Sequence, residues 1–403
     1  MNLRTICGGL SLMMMASPAF GQSSPQQYAQ YAPAPSSWGV RYPGMNSAMP
    51  AAYNLASDGV PAVPTPPAAP PTVMPETAPV SGDCACNSCP TSGCKPCCCS
   101  NMWDHQSGFF AEYMYLRPFG ANVSQGIQQN GVGGLGTVPA GDVGVVSPEF
   151  DNGYRLGFEW ALNCGSGIRA TYSFYSSDGS DVLPAAAGIG GTAASLLLHP
   201  GTLTAASTFS ELDATLAIDF RLVDIDYSVL ISECENRAVN FDIGVRYAHL
   251  RQDFEQIGVF SGATGEEDTT SRIRFDGVGL RAGFDGQWRL GDSRIAAYGQ
   301  GFINVLFGEF NSHYQQFNAT TTTVEAASNW SDDRCVPILD YEVGLRWTSC
   351  NGHWQASTGY YTAFWFNTVS TGDFVRAVQN NDFTNVDKTI AFTGLTTRVE
   401  YRF

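Results

Sequence analysis

Lysine is almost missing from this chain. Its 403 residues include two, Lys95 and Lys388, against 19 arginines. Charged residues of all kinds make up 14%, and the net formal charge is −16. A nucleic-acid partner wants a basic stripe, so this balance speaks against one. Long hydrophobic runs are lacking too. Beyond the extreme N-terminus no stretch of about 18 apolar residues occurs, and no transmembrane helix is expected. Histidine is scarce, at His105, His199, His249, His313 and His353. A Ser/His/Asp or Asp/His site at an outer rim could use His249 near Asp253 and Glu255. No G-x-S-x-G motif accompanies it, so His249 is read as a polar boundary residue and the chain as not an enzyme. EF-hand spacing is also missing. The acids of Glu266-Glu267-Asp268 and Asp332-Asp333 are read as solvated, and no metal or cofactor is expected.

What is present divides into segments. Arg4, the apolar run Ile6 to Met15 and the small residues of Ala19-Phe20-Gly21 read as a cleaved secretory signal over residues 1–21. Residues 22–80 are rich in Pro, Ala, Ser and Gln, cannot bury a core, and are expected to be disordered. Residues 81–105 hold seven cysteines: Cys84, Cys86, Cys89, Cys94, Cys97, Cys98 and Cys99. Export makes disulfides or intermolecular crosslinks the leading reading. Zinc is the alternative, because Cys86-x2-Cys89 and Cys94-x2-Cys97 have ligand spacing. Cys164, Cys234, Cys335 and Cys350 complete the disulfide candidates.

From residue 106 onward polar and apolar residues alternate. Ten segments show it: 108–117, 153–162, 168–176, 209–231, 239–251, 271–288, 293–308, 336–348, 353–366 and 389–403. Most suit the ~9–11 residues of a tilted membrane-spanning strand. Four connections are short, around Cys164, Cys234, Gly291 and Cys350. Five are long: 118–152, 177–208, 252–270, 309–335 and 367–388. Their strict alternation predicts an all-β, up-and-down antiparallel transmembrane barrel of about ten strands, eight to twelve, behind a disordered N-terminal arm. Short turns face the periplasm and long loops face outward. The last strand ends on Phe403, as expected of a closing strand at the periplasmic rim. Trp160, Trp288, Trp347 and Trp354 lie near short turns and predict one interfacial girdle. Tyr115, Phe174, Phe307, Phe364 and Phe366 predict a second.

One strand departs from the pattern. In 209–231 the apolar residues are even-numbered to Phe220 and odd-numbered from Val223, which predicts a bulge near Arg221-Leu222 or a strand end there. The opposite faces supply lumen charges: Glu112, Arg155, Glu159, Arg169, Asp224, Asp226, Asp242, Arg246, Arg281, Asp285, Asp340, Glu342, Arg346, Arg398 and Glu400. Such charges are costly unless hydrated or paired, so the lumen is either a wet pore or an ion-pair plug. Inward glycines, among them Gly157, Gly244, Gly279, Gly283, Gly344, Gly359 and Gly394, leave room for water or for bulky neighbours.

Several stretches resemble the Legionella-type major outer membrane protein family, in a planctomycete-like version. They are Phe275-Asp276-Gly277-Val278-Gly279-Leu280-Arg281-Ala282-Gly283-Phe284-Asp285-Gly286, Val223-Asp224-Ile225-Asp226-Tyr227, Ile243-Gly244-Val245-Arg246-Tyr247 and Gly394-Leu395-Thr396. The resemblance covers roughly residues 106–403. It implies a pore-forming barrel of the outer membrane. The expected function is therefore passive diffusion of ions or small solutes. The alternative is a non-conducting structural or surface-binding barrel, crosslinked through its Cys-rich periplasmic arm. Membrane lipid, small solutes, a homo-oligomer and disulfide-linked neighbours are the expected partners.

Overall fold

The computed structural model describes residues 105–403, apart from 132–136, 189, 204–206, 235, 263 and 292. The signal, linker and Cys84–Cys99 expectations lie outside the described residues. Thirteen antiparallel strands form one sheet: β1 (Gly108–Phe119), β2 (Val123–Gln129), β3 (Pro139–Val146), β4 (Asp151–Asn163), β5 (Ser166–Pro184), β6 (Thr192–Ser195), β7 (Phe209–Cys234), β8 (Arg237–Phe260), β9 (Glu266–Arg289), β10 (Ile295–Asn318), β11 (Thr323–Thr348), β12 (Trp354–Thr368) and β13 (Lys388–Arg402). A helix, α1 (Thr371–Asn380), precedes β13.

Ten of these strands close a ring in the order β7-β5-β4-β1-β13-β12-β11-β10-β9-β8, and pairing of β7 with β8 completes it. The first and last strands meet, with Gly108 opposite Arg402 and Phe119 opposite Ala391. Closure leaves no unpaired edge in the ring, as a barrel in lipid requires. The remaining strands, β2, β3 and β6, are additions within two outer loops and join the ring where Ala193 pairs with Phe209.

The strands are longer than the alternation alone implied. β7 and β11 have 26 residues and β8, β9 and β10 have 24. At about 3.3 Å per residue such strands run to ~80 Å, far more than a tilted crossing needs. This corrects the long outer loops at 252–270 and 309–335. Those residues are mostly paired strand: Asp253 faces Arg272 and His313 faces Asn329. The sequence looked like loop there because the outward residues turn polar once the strand leaves the membrane. The other long connections carry folded elements of their own, β2 and β3, β6, and α1.

The same fact corrects the expected irregularity in β7. Its ladder runs straight through Arg221 opposite His249 and Leu222 opposite Ala248. Even-numbered side chains point inward from Leu212 to Ser228, and the register shifts lie only at the two ends, at Phe209/Glu211 and Leu230/Ser232. The environment inverts, and the backbone does not. Near the membrane, inward Asp224 and Asp226 are polar while outward Val223, Ile225 and Tyr227 meet lipid. Further out, inward Leu212, Leu216, Ile218 and Phe220 form an apolar core while outward Asp213, Thr215 and Arg221 meet water. Strand β9 repeats the inversion. Outward Thr270, Arg272, Arg274 and Asp276 give way to Val278, Leu280 and Phe284, as inward Ile273 and Phe275 give way to Arg281 and Asp285.

Trp160, Trp288, Trp347 and Trp354 are exposed on the outer face beside the short turns. The turn before β12 is tight: the Ser349 N–H donates to the Trp354 carbonyl at 2.8 Å, and Gly352 takes φ of +75°, which favours glycine.

Candidate functional site

All fifteen of the sequence-derived lumen charges point into the barrel and lie on its inner wall. Strand parity puts them there, because one face of each strand must be apolar for lipid. At mid-height they form a fork-like network. Arg246 donates from Nε and Nη2 to the two oxygens of Asp224, at 2.6 and 2.8 Å, and from Nη1 to Asp340 at 2.6 Å. Arg281 reaches Asp226 at 3.2 Å and Asp340 at 3.1 Å, with its guanidinium 3.5 Å from the centre of the Phe302 ring. Arg155 bonds Glu112 at 2.7 Å and lies 3.7 Å from Glu342. These are charge-assisted, partly bidentate bonds, the strong kind.

A second tier lies nearer the short turns. His105 and Arg169 hold Glu159, at 3.1 and 3.5 Å, and Arg169 is 4.0 Å from Asp285. Glu400 accepts from Arg398 at 2.6 Å and from Arg402 at 2.5 Å. Arg398 stacks on Phe110, and Arg346 on Tyr298. Asp242 is 0% exposed, and neither of its oxygens has a hydrogen-bond partner within the described residues.

Sequence reasoning missed the neutral members of this site. Asn304 bridges Arg281 and Asp340, at 3.2 Å each. Tyr298, Gln300 and Thr396 all donate to Glu342. Inward parity on β10 would have found Tyr298, Gln300, Phe302 and Asn304, had the search not been limited to charges. The inward glycines make room for rings. A Cβ on Gly283 would meet Phe302, one on Gly157 would meet Phe110, and one on Gly344 or Gly359 would press on Tyr298. Two small cavities remain, of about 40 and 30 Å³, both bordered by Arg169 and Arg398. Each has room for roughly two or three waters.

Above the charged tiers comes an apolar layer, and further out Gln252, Gln256, Glu267, Thr269 and Gln316 are again buried and polar. Tyr175, Phe220, Trp365 and Phe392 pack edge-on and tilted, with centroids 4.9–6.3 Å apart, and each is at most 2% exposed. Helix α1 lies across the interior beyond them. Ser370 caps it by accepting from the Asp373 N–H, and Asn381 ends it in the left-handed conformation. Its buried face, Phe374, Val375, Ala377 and Val378, follows helical spacing, and Phe374 packs on Trp330 of β11. Polar bonds also hold it: Gln252 of β8 donates to the Val369 carbonyl and accepts from the N–H and hydroxyl of Thr371, Gln379 donates to the carbonyls of Leu196 and Leu198, and Lys388 lies 3.8 Å from Asp373. The cap signal Ser370-x-x-Asp373 was in the sequence, but the expectation of a long loop passed over it. Glu267 lies in this outer part, and burial, reinforced by nearby Glu325, holds its carboxyl above the ordinary range.

His249 does not meet Asp253 and Glu255. It faces outward and bonds Asp276 of β9 at 2.8 Å, while Asp253 pairs with Arg251 and Arg272. The cross-strand neighbour lies closer than residues along the same strand.

The model of one protein family, described as Legionella pneumophila major outer membrane protein precursor, matches residues 95–403. The chain belongs to this family. It is a β-barrel of the outer membrane. No curated protein matches the sequence. Among solved structures it is similar to the outer membrane protease OmpT from Escherichia coli, at 12% identity and a TM-score of 0.42, over 74% of this chain and 97% of that one. It is also similar to a major outer membrane protein from Thermus thermophilus, at 13% and 0.27, over 74% and 100%. A third is a TodX mutant described as a monoaromatic hydrocarbon channel, at 7% and 0.24, over 74% and 91%. These likenesses transfer no activity or substrate to this family member. They do correct one expectation. A protease stands among the similar barrels, so the reading of the chain as not an enzyme does not follow from its fold, and membership in the family does not establish it.

Proposed function

We propose that this family member is a pore-type barrel for ions or small solutes that rests closed. The observation that carries the reading is the division of the lumen. Its membrane-level half is lined by charge and holds water-sized cavities, whereas its outer half is sealed by a separate apolar layer borne partly on a loop helix. The fifteen lumen charges would line the passage, with Arg246, Arg281, Asp224 and Asp340 meeting across it. Passage needs α1 to lift and the paired arginines to exchange partners. Rings of fixed charge then tune which ions pass.

Planar-bilayer conductance tests this. Wild-type protein should be silent or open only briefly. A variant with residues 371–380 replaced by a Gly/Ser linker should show stable steps with weak ion selectivity. Steady wild-type steps would overturn the closed resting state. Silence in both folded proteins would leave the second reading in place.

That second reading is a structural barrel fastened through disulfides, and it rests on a different observation. Cys164, Cys234 and Cys350 all lie at short turns, thus at one rim, and Cys350 is exposed. Cys335 sits well along β11, away from that rim. On this reading non-reducing gels should show a ladder that collapses with reductant and is lost in the triple Cys→Ser variant. Identical mobility under both conditions would remove it.

A further inference from the structure

Outside the barrel, just beyond the membrane, β9, β10 and β11 frame a hollow of about 420 Å³. Arg272 and Arg274 of β9 line it, with Asn311 and His313 of β10 and Asn329 of β11. No carboxylate lines it. Arg274 enters no ion pair among the described residues and stands directly opposite Arg251 on β8. Asp253 answers Arg251, and the charge of Arg274 is left facing the hollow. Arg272 is engaged by Asp253 through Nε at 2.8 Å, and its side chain is 55% exposed. His313 bonds Asn329 through Nδ1, at 2.7 Å, which leaves its other nitrogen to face out.

We infer that this hollow binds the phosphorylated headgroup of an outer-leaflet glycolipid. Position decides between a lipid and a free anion. Below, past the rung of Asp276, Glu309 and Asp333, the same strands carry Val278, Leu280, Ile303 and Phe307, among the most exposed apolar side chains of the barrel. A lipid with its chains on that surface brings its headgroup to the height of Arg274. Two guanidiniums on one face suit a phosphate, which they grip through paired N–H donors. The nearest carboxylate is Asp253, already paired with Arg251 and Arg272, and Asp276 is held by Tyr247 and His249. Glu309, flanked by Asp276 and Asp333, lies one rung nearer the membrane, and this acidic row sets a lower limit on where the phosphate sits.

The test uses the full folded protein in detergent and native mass spectrometry. The probes are a bis-phosphorylated glycolipid, its dephosphorylated form, and inorganic phosphate. The phosphorylated lipid should bind at least tenfold more tightly than the dephosphorylated one. That ratio should fall to near one in the double variant Arg272→Gln/Arg274→Gln and stay unchanged in Arg376→Gln, an exposed arginine on α1. A wild-type ratio near one, or a double variant that keeps the ratio, overturns the inference. Occupancy by inorganic phosphate at the lipid's own concentration also overturns it, in favour of a free-anion site. Correct folding of each variant is read from its faster migration on gels when unheated.

Discussion

Arg246→Met is expected to cost the barrel ~3–5 kcal/mol of stability, because it strips the buried carboxylate of Asp224 of its bidentate cation and leaves Asp224 and Asp340 to share Arg281 alone. The penalty comes less from the lost attraction than from the charge left behind. It should therefore shrink when the charge is removed as well. Arg246→Met combined with Asp224→Leu should be less damaging than the sum of the two single changes, with the pair coupled by ~1 kcal/mol or more. Urea titration of the unheated, fast-migrating gel band in vesicles would measure each. Glu211→Gln, on the exposed outer face of β7, should move the midpoint by no more than about 0.5 kcal/mol and serves as the reference. If Arg246→Met lost under ~1 kcal/mol, either Arg281 would have taken over both carboxylates or water would reach them, and the double variant Arg246→Met/Arg281→Met would tell the two apart.

The second large effect probes the outer face. Leu280 is 71% exposed and sits mid-band on β9. An arginine there should cost ~2–4 kcal/mol, as lipid-facing cations do near the bilayer midplane. Thr270→Arg, on the same face of the same strand but beyond the membrane, should cost almost nothing. The pair would be compared by urea unfolding in lipid vesicles. Equal costs at the two positions would mean that the band does not end near Asp276, and that the polar stretch of β9 outside it is not in water.

Ten ring strands, their order and the inward placement of the charges were legible from alternation alone. Alternation is enforced wherever lipid lies on one side and water or charge on the other. It reads equally well for β4, β8 and β11, where a polar lumen opposes an apolar belt. It misled at β7 and at the outer halves of β8 to β11 for one reason. A period of two says which residues share a face, but not which face is inside. Leu216 and Val223 have opposite parity and are both apolar because one faces an interior core and the other faces lipid. A sequence pattern cannot separate these two hydrophobic environments without the pairing partners. The partners also decided the site. That Arg246 chooses Asp224 and Asp340 depends on registers between β7 and β8 and on a reach across the barrel, neither of which is local. Helix α1 escaped for a different reason: ten residues with a single cap are a weak signal inside a connection already assigned as loop.

The inversion along β7 and β9 also fixes how deeply the protein floats. A barrel with one uniform outer belt could bob by a residue or two at small cost. Here a downward slip would draw Arg272, Arg274 and Asp276 into the acyl chains, while an upward slip would lift Val278 and Leu280 into water. Both directions meet a restoring force from every strand that carries the switch. The waterline is thus written into the strands, and the outer chamber with α1 is held at a constant height above the cell surface.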